Sequence, residues 1–243
     1  MSGPRRLLID IGNSQVKVIA ASGRTLLPQT LQRWSHGEPA QLPVVDQAYD
    51  ELLICSVRNS AIDAALTQIP HAQDIPIIRL HSSACHGSLR SAYPQPTQLG
   101  VDRWAAMAGA WLPLNQACCV VDLGTATTLD AIDAQGQHLG GWIVPGLATS
   151  RESLQQKGQQ LQDAGAGATV ALANNTADAI ATGTINAQAA VIAAFIGQAQ
   201  RQGLESPHLF LTGGHANTVL GLLSYELTHD PLLVFRGMLA LRD

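Results

Sequence analysis

The amino-acid sequence predicts an α/β fold built from two similar halves. Strand-like and helix-like segments alternate along the first half of the chain, as in layered α/β proteins. A strand–turn–strand motif also occurs twice, at residues 7–20 and 118–130. Each copy has an apolar run, then Asp, one apolar residue, Gly, small polar residues and a second strand. The repeated motif indicates an internal duplication.

Length and composition are those of a compact, enzyme-like protein. The chain has 243 residues, of which 46% are hydrophobic and 13% charged, enough for one large domain or two closely packed halves. Its net charge of −4 and pI near 6.0 provide no basic face for nucleic acid or an anionic membrane. The first apolar run is too short for a signal peptide, and no long uninterrupted apolar stretch follows. We therefore expect a cytoplasmic protein that binds neither nucleic acid nor membrane.

The cysteines predict no metal site. Cys55, Cys85, Cys118 and Cys119 show no C-x-x-C spacing, and three of them lie in or beside apolar strand-like runs. Buried free thiols are therefore expected rather than a zinc site or disulfides, as in a reducing compartment.

The first hairpin has the features of an anion-binding turn. Gly12 and Asn13 allow the backbone to reverse and to aim N–H groups at an anion. Lys17, one of only two lysines in the chain, adds positive charge. Asp10 ends a buried strand, where a carboxylate needs a cation or an ion-pair partner. An ordinary solvated turn explains the same residues, so the hairpin alone identifies no function.

The region after this hairpin alternates strand and helix. Residues 21–50 have no clear pattern, and no element is predicted there. A buried strand is predicted at residues 52–57, followed by a helix that Ser60 opens and that ends before Pro70. A further short strand is predicted at residues 76–80.

A loop stiffened by prolines leads into a helix within residues 93–112. Asp102 and Arg103 follow Gly100 at the start of this helix, where Asp102 would serve as a capping residue. An acid beside a guanidinium can also present a base and an anion clamp to one small substrate. The residues alone leave both interpretations open.

The second half repeats the layout of the first. Strands are predicted at residues 118–122 and 127–133, with a return strand at 139–144 that completes a β-meander. Helices are predicted around residues 149–163 and from Thr176 to about Arg201. The second helix has a strongly apolar face, which predicts a central position or a subunit contact.

One more strand is predicted near the end of the chain, at residues 208–212. It would deliver Gly213 and Gly214 to the start of another helix, where backbone N–H groups can approach a ligand. A plain turn uses such a glycine pair equally well.

Together these segments resemble the type III pantothenate kinase family over essentially the whole chain. The matching segments are Asp10–Lys17, Tyr93 with Leu99–Arg103, Asp122–Asp130, Gly140–Gly146, Asn175–Thr176 and Leu211–Gly214. The resemblance implies two duplicated domains of the ribonuclease H-like, actin-like ATPase fold, residues 1–112 and 113–243, with the active site in the cleft. It also implies a homodimer that phosphorylates pantothenate to 4′-phosphopantothenate with ATP, the first step of coenzyme A biosynthesis.

The resemblance further implies roles for individual residues. Asp102 would be the catalytic base, Asp122 a ligand of a K⁺ or NH₄⁺ ion, and Asp10 a neighbour of Mg²⁺ through water. The ATP-binding residues would be Asp10, Ile11, Gly12, Asn13, Ser14, Gln15, Val16, Lys17 and Thr125. Pantothenate would contact Tyr93, Gly100, Val101, Asp102 and Arg103, with Thr176 contributed by the neighbouring subunit. Ser14 stands where many members have Thr, which keeps the hydroxyl and removes a methyl group.

Two alternatives remain open. Another small-molecule kinase of the same superfamily would share both hairpins, and the segment from Tyr93 to Arg103 is the feature that distinguishes them. A non-catalytic regulatory accessory factor is the second alternative. The intact base, phosphate segment and cation site, together with the lack of a basic patch, speak against it.

Overall fold

Two five-stranded sheets, one in each of two units, form the framework of this computed structural model, which describes residues 3–36, 38, 49–58, 66, 74–157 and 167–242. Unit 1 comprises residues 1–115 together with 232–243, and unit 2 comprises residues 116–231. The halves predicted from the sequence, 1–112 and 113–243, differ from these units mainly in the last helix, whose apolar side packs in unit 1.

The sheet of unit 1 is an antiparallel meander extended by two parallel strands. Its strands are β1 (Arg5–Ile11), β2 (Gln15–Ser22), β3 (Thr25–Ser35), β4 (Glu51–Ser56) and β5 (Ile77–Arg79). They lie in the order β3-β2-β1-β4-β5, with β4 parallel to β1 and β5 parallel to β4. The predicted hairpin and the strands predicted at 52–57 and 76–80 are confirmed. Of the helix predicted after Ser60, only Leu66 is among the described residues, and it is helical.

Strand β3 occupies a region in which no element was predicted. It lies at the edge of the sheet, and within its eleven residues only Leu26 and Trp34 are buried. An edge strand with so few buried side chains shows no apolar alternation, and it tolerates Pro28, which cannot donate to a strand ladder.

The described part of unit 1 also contains a short hairpin and two long helices. The hairpin pairs β6 (Cys85–His86) with β7 (Leu89–Arg90), and the helices are α1 (Val101–Leu114) and the C-terminal α4 (Leu233–Arg242). A Cβ atom placed on Gly237 of α4 would lie 2.5 Å from the carbonyl carbon of Ala105 in α1. One on Gly109 would lie 2.9 Å from the Gly237 nitrogen. Glycine at both positions therefore permits backbone-to-backbone packing of the two helices.

A buried ion cluster also ties α4 to the sheet of unit 1. Glu51 accepts hydrogen bonds from Arg6 Nε and from Arg242 Nη2, the latter at 3.0 Å. Glu51 and Arg6 are buried, so each charge depends on the other for compensation.

The sheet of unit 2 has the same strand arrangement, as the duplicated motif predicted. Its strands are β8 (Cys118–Leu123), β9 (Ala126–Ile132), β10 (His138–Pro145), β11 (His208–Thr212) and β12 (Leu227–His229). They lie in the order β10-β9-β8-β11-β12, again a meander followed by two parallel strands. The predicted meander is therefore confirmed.

The described part of unit 2 contains two α-helices. Helix α2 (Leu147–Lys157) begins two residues before its predicted start, and residues 158–163 of that prediction lie outside the described residues. Helix α3 (Thr176–Arg201) has the predicted limits. Its length and composition would suffice to cross a membrane, but Ile192, Phe195 and Ile196 pack in the core of unit 2, as in the core helix of a globular domain.

The helix predicted after Gly213 and Gly214 is wrong. The chain instead forms two short 3₁₀ turns, Ala216–Thr218 and Leu220–Leu222. Gly213 has φ of +93°, and the next residues curl back so that His215 N donates to Leu123 O at 3.1 Å. This hydrogen bond to the end of β8 makes the chain turn directly after β11, so no helix starts there.

Candidate active site

The first hairpin places a buried carboxylate beside a lysine. Asp10 and Lys17 are paired in register across β1 and β2, with Lys17 Nζ 3.7 Å from Asp10 Oδ2. Burial raises the pKa of the Asp10 carboxyl above its ordinary value, the Lys17 charge opposes this rise, and the Asp102 charge adds to it. Asp10, Lys17 and Asp102, all predicted from the sequence, therefore form one electrostatic cluster in unit 1.

Helix α1 begins at this cluster, with Asp102 in its first turn. The N-cap position belongs to Gly100, and no side chain caps the helix. Asp102 Oδ1 accepts a hydrogen bond from the backbone N–H of Arg103 at 2.8 Å. A Cβ atom on Gly100 would lie 2.6 Å from the same oxygen, so glycine leaves room for the carboxylate.

The structure also brings together Arg103 and Tyr93. The Arg103 side chain is buried, and its Nη1 donates to Tyr93 Oη at 3.1 Å. The guanidinium carbon lies 5.8 Å from the centre of the Tyr93 ring, within range of a cation–π contact. These two residues therefore support each other at the start of α1.

A cavity of about 390 Å³ opens beside Gly100 and Val101, at the carboxyl ends of the parallel strands β4 and β5. This is the usual position of ligand sites in open α/β sheets, and the volume falls in the range of small-molecule pockets. Arg79 and His81 line the same cavity and were not predicted as site residues. No motif spacing could have indicated them, because they belong to a different strand and loop from α1.

Cys55 is a further neighbour of the acidic cluster. It lies beside Asp10 in the parallel pairing of β1 and β4 and is fully buried. Burial raises the pKa of the Cys55 thiol well above its ordinary value, and the charges of Asp10 and Asp102 raise it further. The thiol therefore stays protonated at neutral pH and cannot serve as a nucleophile.

In unit 2, Asp122 lies near the end of β8 against a glycine turn. It pairs in register with Thr128 of β9 and Thr212 of β11. A Cβ atom on Gly213 would overlap the Asp122 carboxylate and lie 2.6 Å from Leu123 N. Glycine at position 213 therefore allows the backbone to lie close to the Asp122 carboxylate.

The turn of the second hairpin is tied to the start of α2. Thr125 is exposed, and its carbonyl oxygen accepts hydrogen bonds from Gly146 N at 3.0 Å and Thr149 Oγ1 at 2.6 Å. Within the described part of the chain, no group of three or more His, Cys, Asp or Glu side chains could hold a metal ion. A cation near Asp10 or Asp122 would therefore take the rest of its ligands from backbone oxygens, water or substrate.

Thr176 lies at the head of α3, as predicted, but does not cap it. Asn175 is the N-cap, and its side chain accepts a hydrogen bond from Asp178 N at 3.0 Å. Thr176 is exposed and lines an open groove of about 840 Å³ together with Ser150 and Leu154. Its hydroxyl is thus not needed to begin the helix.

Comparison with known proteins identifies the family. The sequence model of the family described as type III pantothenate kinase matches residues 6–198. A type III pantothenate kinase from Thiobacillus denitrificans is 36% identical over 242 residues, which cover 98% of this chain and 96% of that protein.

Solved structures agree on the fold. A Campylobacter jejuni protein described as a Baf-family transcriptional activator matches with a TM-score of 0.59 at 23% identity, covering 96% of this chain and 94% of that one. The activator of 2-hydroxyisocaproyl-CoA dehydratase from Clostridium difficile, solved with bound ADPNP, matches with a TM-score of 0.50 at 10% identity. The match covers 99% of this chain and 92% of that one. At these identities the likeness concerns the fold alone, an α/β fold with two five-stranded sheets. Because the family model spans most of the sequence and the relative covers nearly all of it, the chain belongs to the type III pantothenate kinase family.

Proposed function

We propose that the chain acts in the cytoplasm to transfer the γ-phosphoryl group of ATP to the hydroxyl of pantothenate. The product is 4′-phosphopantothenate, and the reaction is the first step of coenzyme A biosynthesis. The observation that carries the proposal is the electrostatic cluster of Asp102, Asp10 and Lys17 at the start of α1, where Gly100 and Val101 line the cavity. Within unit 1, a carboxylate for the acceptor hydroxyl thus lies close to a lysine-bearing hairpin for phosphate.

Phosphoryl transfer asks the protein mainly to align the reacting oxygen and to neutralise charge. In this proposal Asp102 accepts the hydroxyl proton, and the segment Asp10–Lys17 together with Thr125 contacts the phosphates of ATP. Pantothenate lies against Gly100 and Val101. The Arg103–Tyr93 pair provides positive charge and a hydroxyl near its carboxylate.

A kinase of this fold works with ATP and a divalent metal, which neutralises phosphate charge when bound. We assign that metal as Mg²⁺ near Asp10, through water, since Mg²⁺ keeps several waters and takes few protein ligands. Asp122 is assigned to a monovalent cation, K⁺ or NH₄⁺. In this assignment each ion would take most of its ligands from water and substrate.

A coupled assay for ADP formation tests the proposed reaction. ADP release should depend on pantothenate, and the phosphorylated product should appear at the same rate. Sugars offered in place of pantothenate serve as controls for the other kinases of this fold. ADP release with a sugar and none with pantothenate would contradict the proposal.

The cation assignment makes a separate prediction. With Mg²⁺ present, we expect high activity in K⁺ or NH₄⁺ and little in Na⁺ alone, because the Asp122 carboxylate can face phosphate only across a positive charge. Initial rates at matched ionic strength measure this, and Asp122→Asn should lose most of the K⁺ stimulation. Full activity in Na⁺-only buffer would remove the assignment.

We also propose that the protein acts as a homodimer with shared sites. The open groove at the head of α3 is lined largely by small or apolar residues, among them Ala179, Gly183 and Ala187. Leu154 in the groove is 42% exposed, and Leu172, which shortly precedes α3, is 94% exposed. Such a surface suits close packing of a second subunit, which would bring Thr176 to the partner's pantothenate.

Mixing two inactive variants tests this arrangement. A heterodimer of Asp102→Asn and Thr176→Ala subunits would hold one undamaged site, so an equal mixture should recover about a quarter of wild-type activity after random exchange. The matched control is Asp102→Asn with Asp10→Asn. Asp10 and Asp102 contribute to the same site from the same subunit. Each of the two sites in the mixed dimer therefore keeps one damaged residue, and no recovery is expected. Equal behaviour of both mixtures after verified exchange would contradict shared sites.

A further inference from the structure

The turn of the first hairpin is held through its carbonyl oxygens. Each backbone carbonyl from residue 11 to residue 15 accepts a hydrogen bond from within unit 1. The donors, in order from Ile11 to Gln15, are Val57 N (3.2 Å), His36 Nε2 (2.9 Å), Arg58 Nη1 (3.0 Å), His36 N (3.4 Å) and Gly12 N (3.0 Å). Two of these donors are side chains, and both lie outside the hairpin.

The side-chain donors fix the direction of particular N–H groups. A peptide group is planar, so its C=O and the following N–H point in nearly opposite directions. His36 holds the carbonyl of Gly12 and thereby sets the N–H of Asn13. Arg58 holds the carbonyl of Asn13 and thereby sets the N–H of Ser14. Tying the carbonyls back also keeps their negative ends from facing an anion that approaches the turn.

Arg58 contributes charge as well as geometry. Its side chain is exposed, and the bond to Asn13 uses one of the five N–H donors of a guanidinium. A permanent positive charge thus lies beside the turn, whereas Lys17 is engaged with Asp10 across the strand pair.

We propose that His36 and Arg58 are positioning residues for the phosphates of ATP. They orient the amides of Asn13 and Ser14 toward the nucleotide, and Arg58 adds positive charge at the same place. The proposal rests on the proposed role of the segment Asp10–Lys17 in phosphate binding. Neither residue belongs to the segments that resemble the family.

Steady-state kinetics of four variants test the proposal. Arg58→Ala should raise the KM for ATP about tenfold, and His36→Ala about fivefold, as expected for a lost charged and a lost neutral hydrogen bond. The KM for pantothenate should stay unchanged in both. His36→Gln restores an N–H donor and should recover most of the loss, and Arg58→Lys keeps the charge and should recover part. Arg90→Ala, which removes an exposed arginine of β7 in the same unit, serves as the control.

Lys17→Met separates failure of this proposal from failure of the proposed function. If Lys17→Met raises the KM for ATP but Arg58→Ala and His36→Ala do not, the positioning role is overturned while the phosphate segment stands. If Lys17→Met also leaves that KM unchanged, the phosphate assignment itself fails. An equal rise in both KM values for Arg58→Ala would indicate a merely structural role and would also overturn the proposal.

Discussion

Replacing Asp102 by Asn is expected to lower kcat by a factor of about 10² to 10⁴, the usual contribution of a positioned acid–base group. The amide has the shape of the carboxylate but cannot accept the proton of the acceptor hydroxyl. Its oxygen can still accept the Arg103 N–H bond, so the start of α1 should remain intact. The KM for ATP should change little, because the phosphates are held by other residues.

The alternative role of Asp102 is only to stabilise its helix, and the structure allows a direct test of it. Gly100 occupies the N-cap, and Asp102 accepts a hydrogen bond from the next N–H, a bond that Asn would make equally well. Asp133→Asn provides the matched control, because the Asp133 carboxylate accepts the N–H groups of Gln135 and Gln137 in a turn. Wild-type turnover by both folded variants would show that Asp102 has no catalytic role.

Gly237→Ala is expected to lower the free energy of unfolding by about 3 kcal/mol or more, the upper range for overpacking. The added methyl group would overlap the Ala105 carbonyl group, whose carbon it would approach to 2.5 Å. A carbonyl inside a helix cannot rotate away as a side chain can, so α1 and α4 would have to separate. Urea unfolding followed by tryptophan fluorescence measures the loss, since Trp104 and Trp111 are buried in α1.

Gly197→Ala is the control for this substitution. It also lies within a helix, but a Cβ atom there meets only Arg201 Nη1 at 3.7 Å, an ordinary contact. Alanine is the better helix former, so this variant should be neutral or more stable by up to about 1 kcal/mol. If the two variants unfold at the same urea concentration, the helices have more room at Gly237 than the structure indicates.

Much of the fold follows from local sequence patterns. The hairpin at Asp10–Lys17 combines apolar strands with a turn that only a few residue types permit, and its second copy at Asp122 predicted the duplicated sheets. The apolar spacing of α3 predicted both ends of that helix, because a long regular pattern leaves few alternatives. Family resemblance added residue roles that spacing does not provide, such as that of Thr176.

The remaining features depend on contacts between distant segments. Strand β3 has no apolar alternation of its own and exists because β2 offers it a partner. The glycines after β11 resemble a helix start in sequence, but the bond from His215 to Leu123 turns them back. His36 follows β3 and Arg58 follows β4, and only folding brings them to the same turn.

The order of the units along the chain has a consequence for synthesis on the ribosome. Helix α4 belongs to unit 1 but follows the whole of unit 2, so unit 1 cannot be completed until the last helix has emerged. At ordinary elongation rates, translating unit 2 takes on the order of 10 s. Throughout that interval the Gly109 side of α1 lacks the helix that covers it in the folded protein.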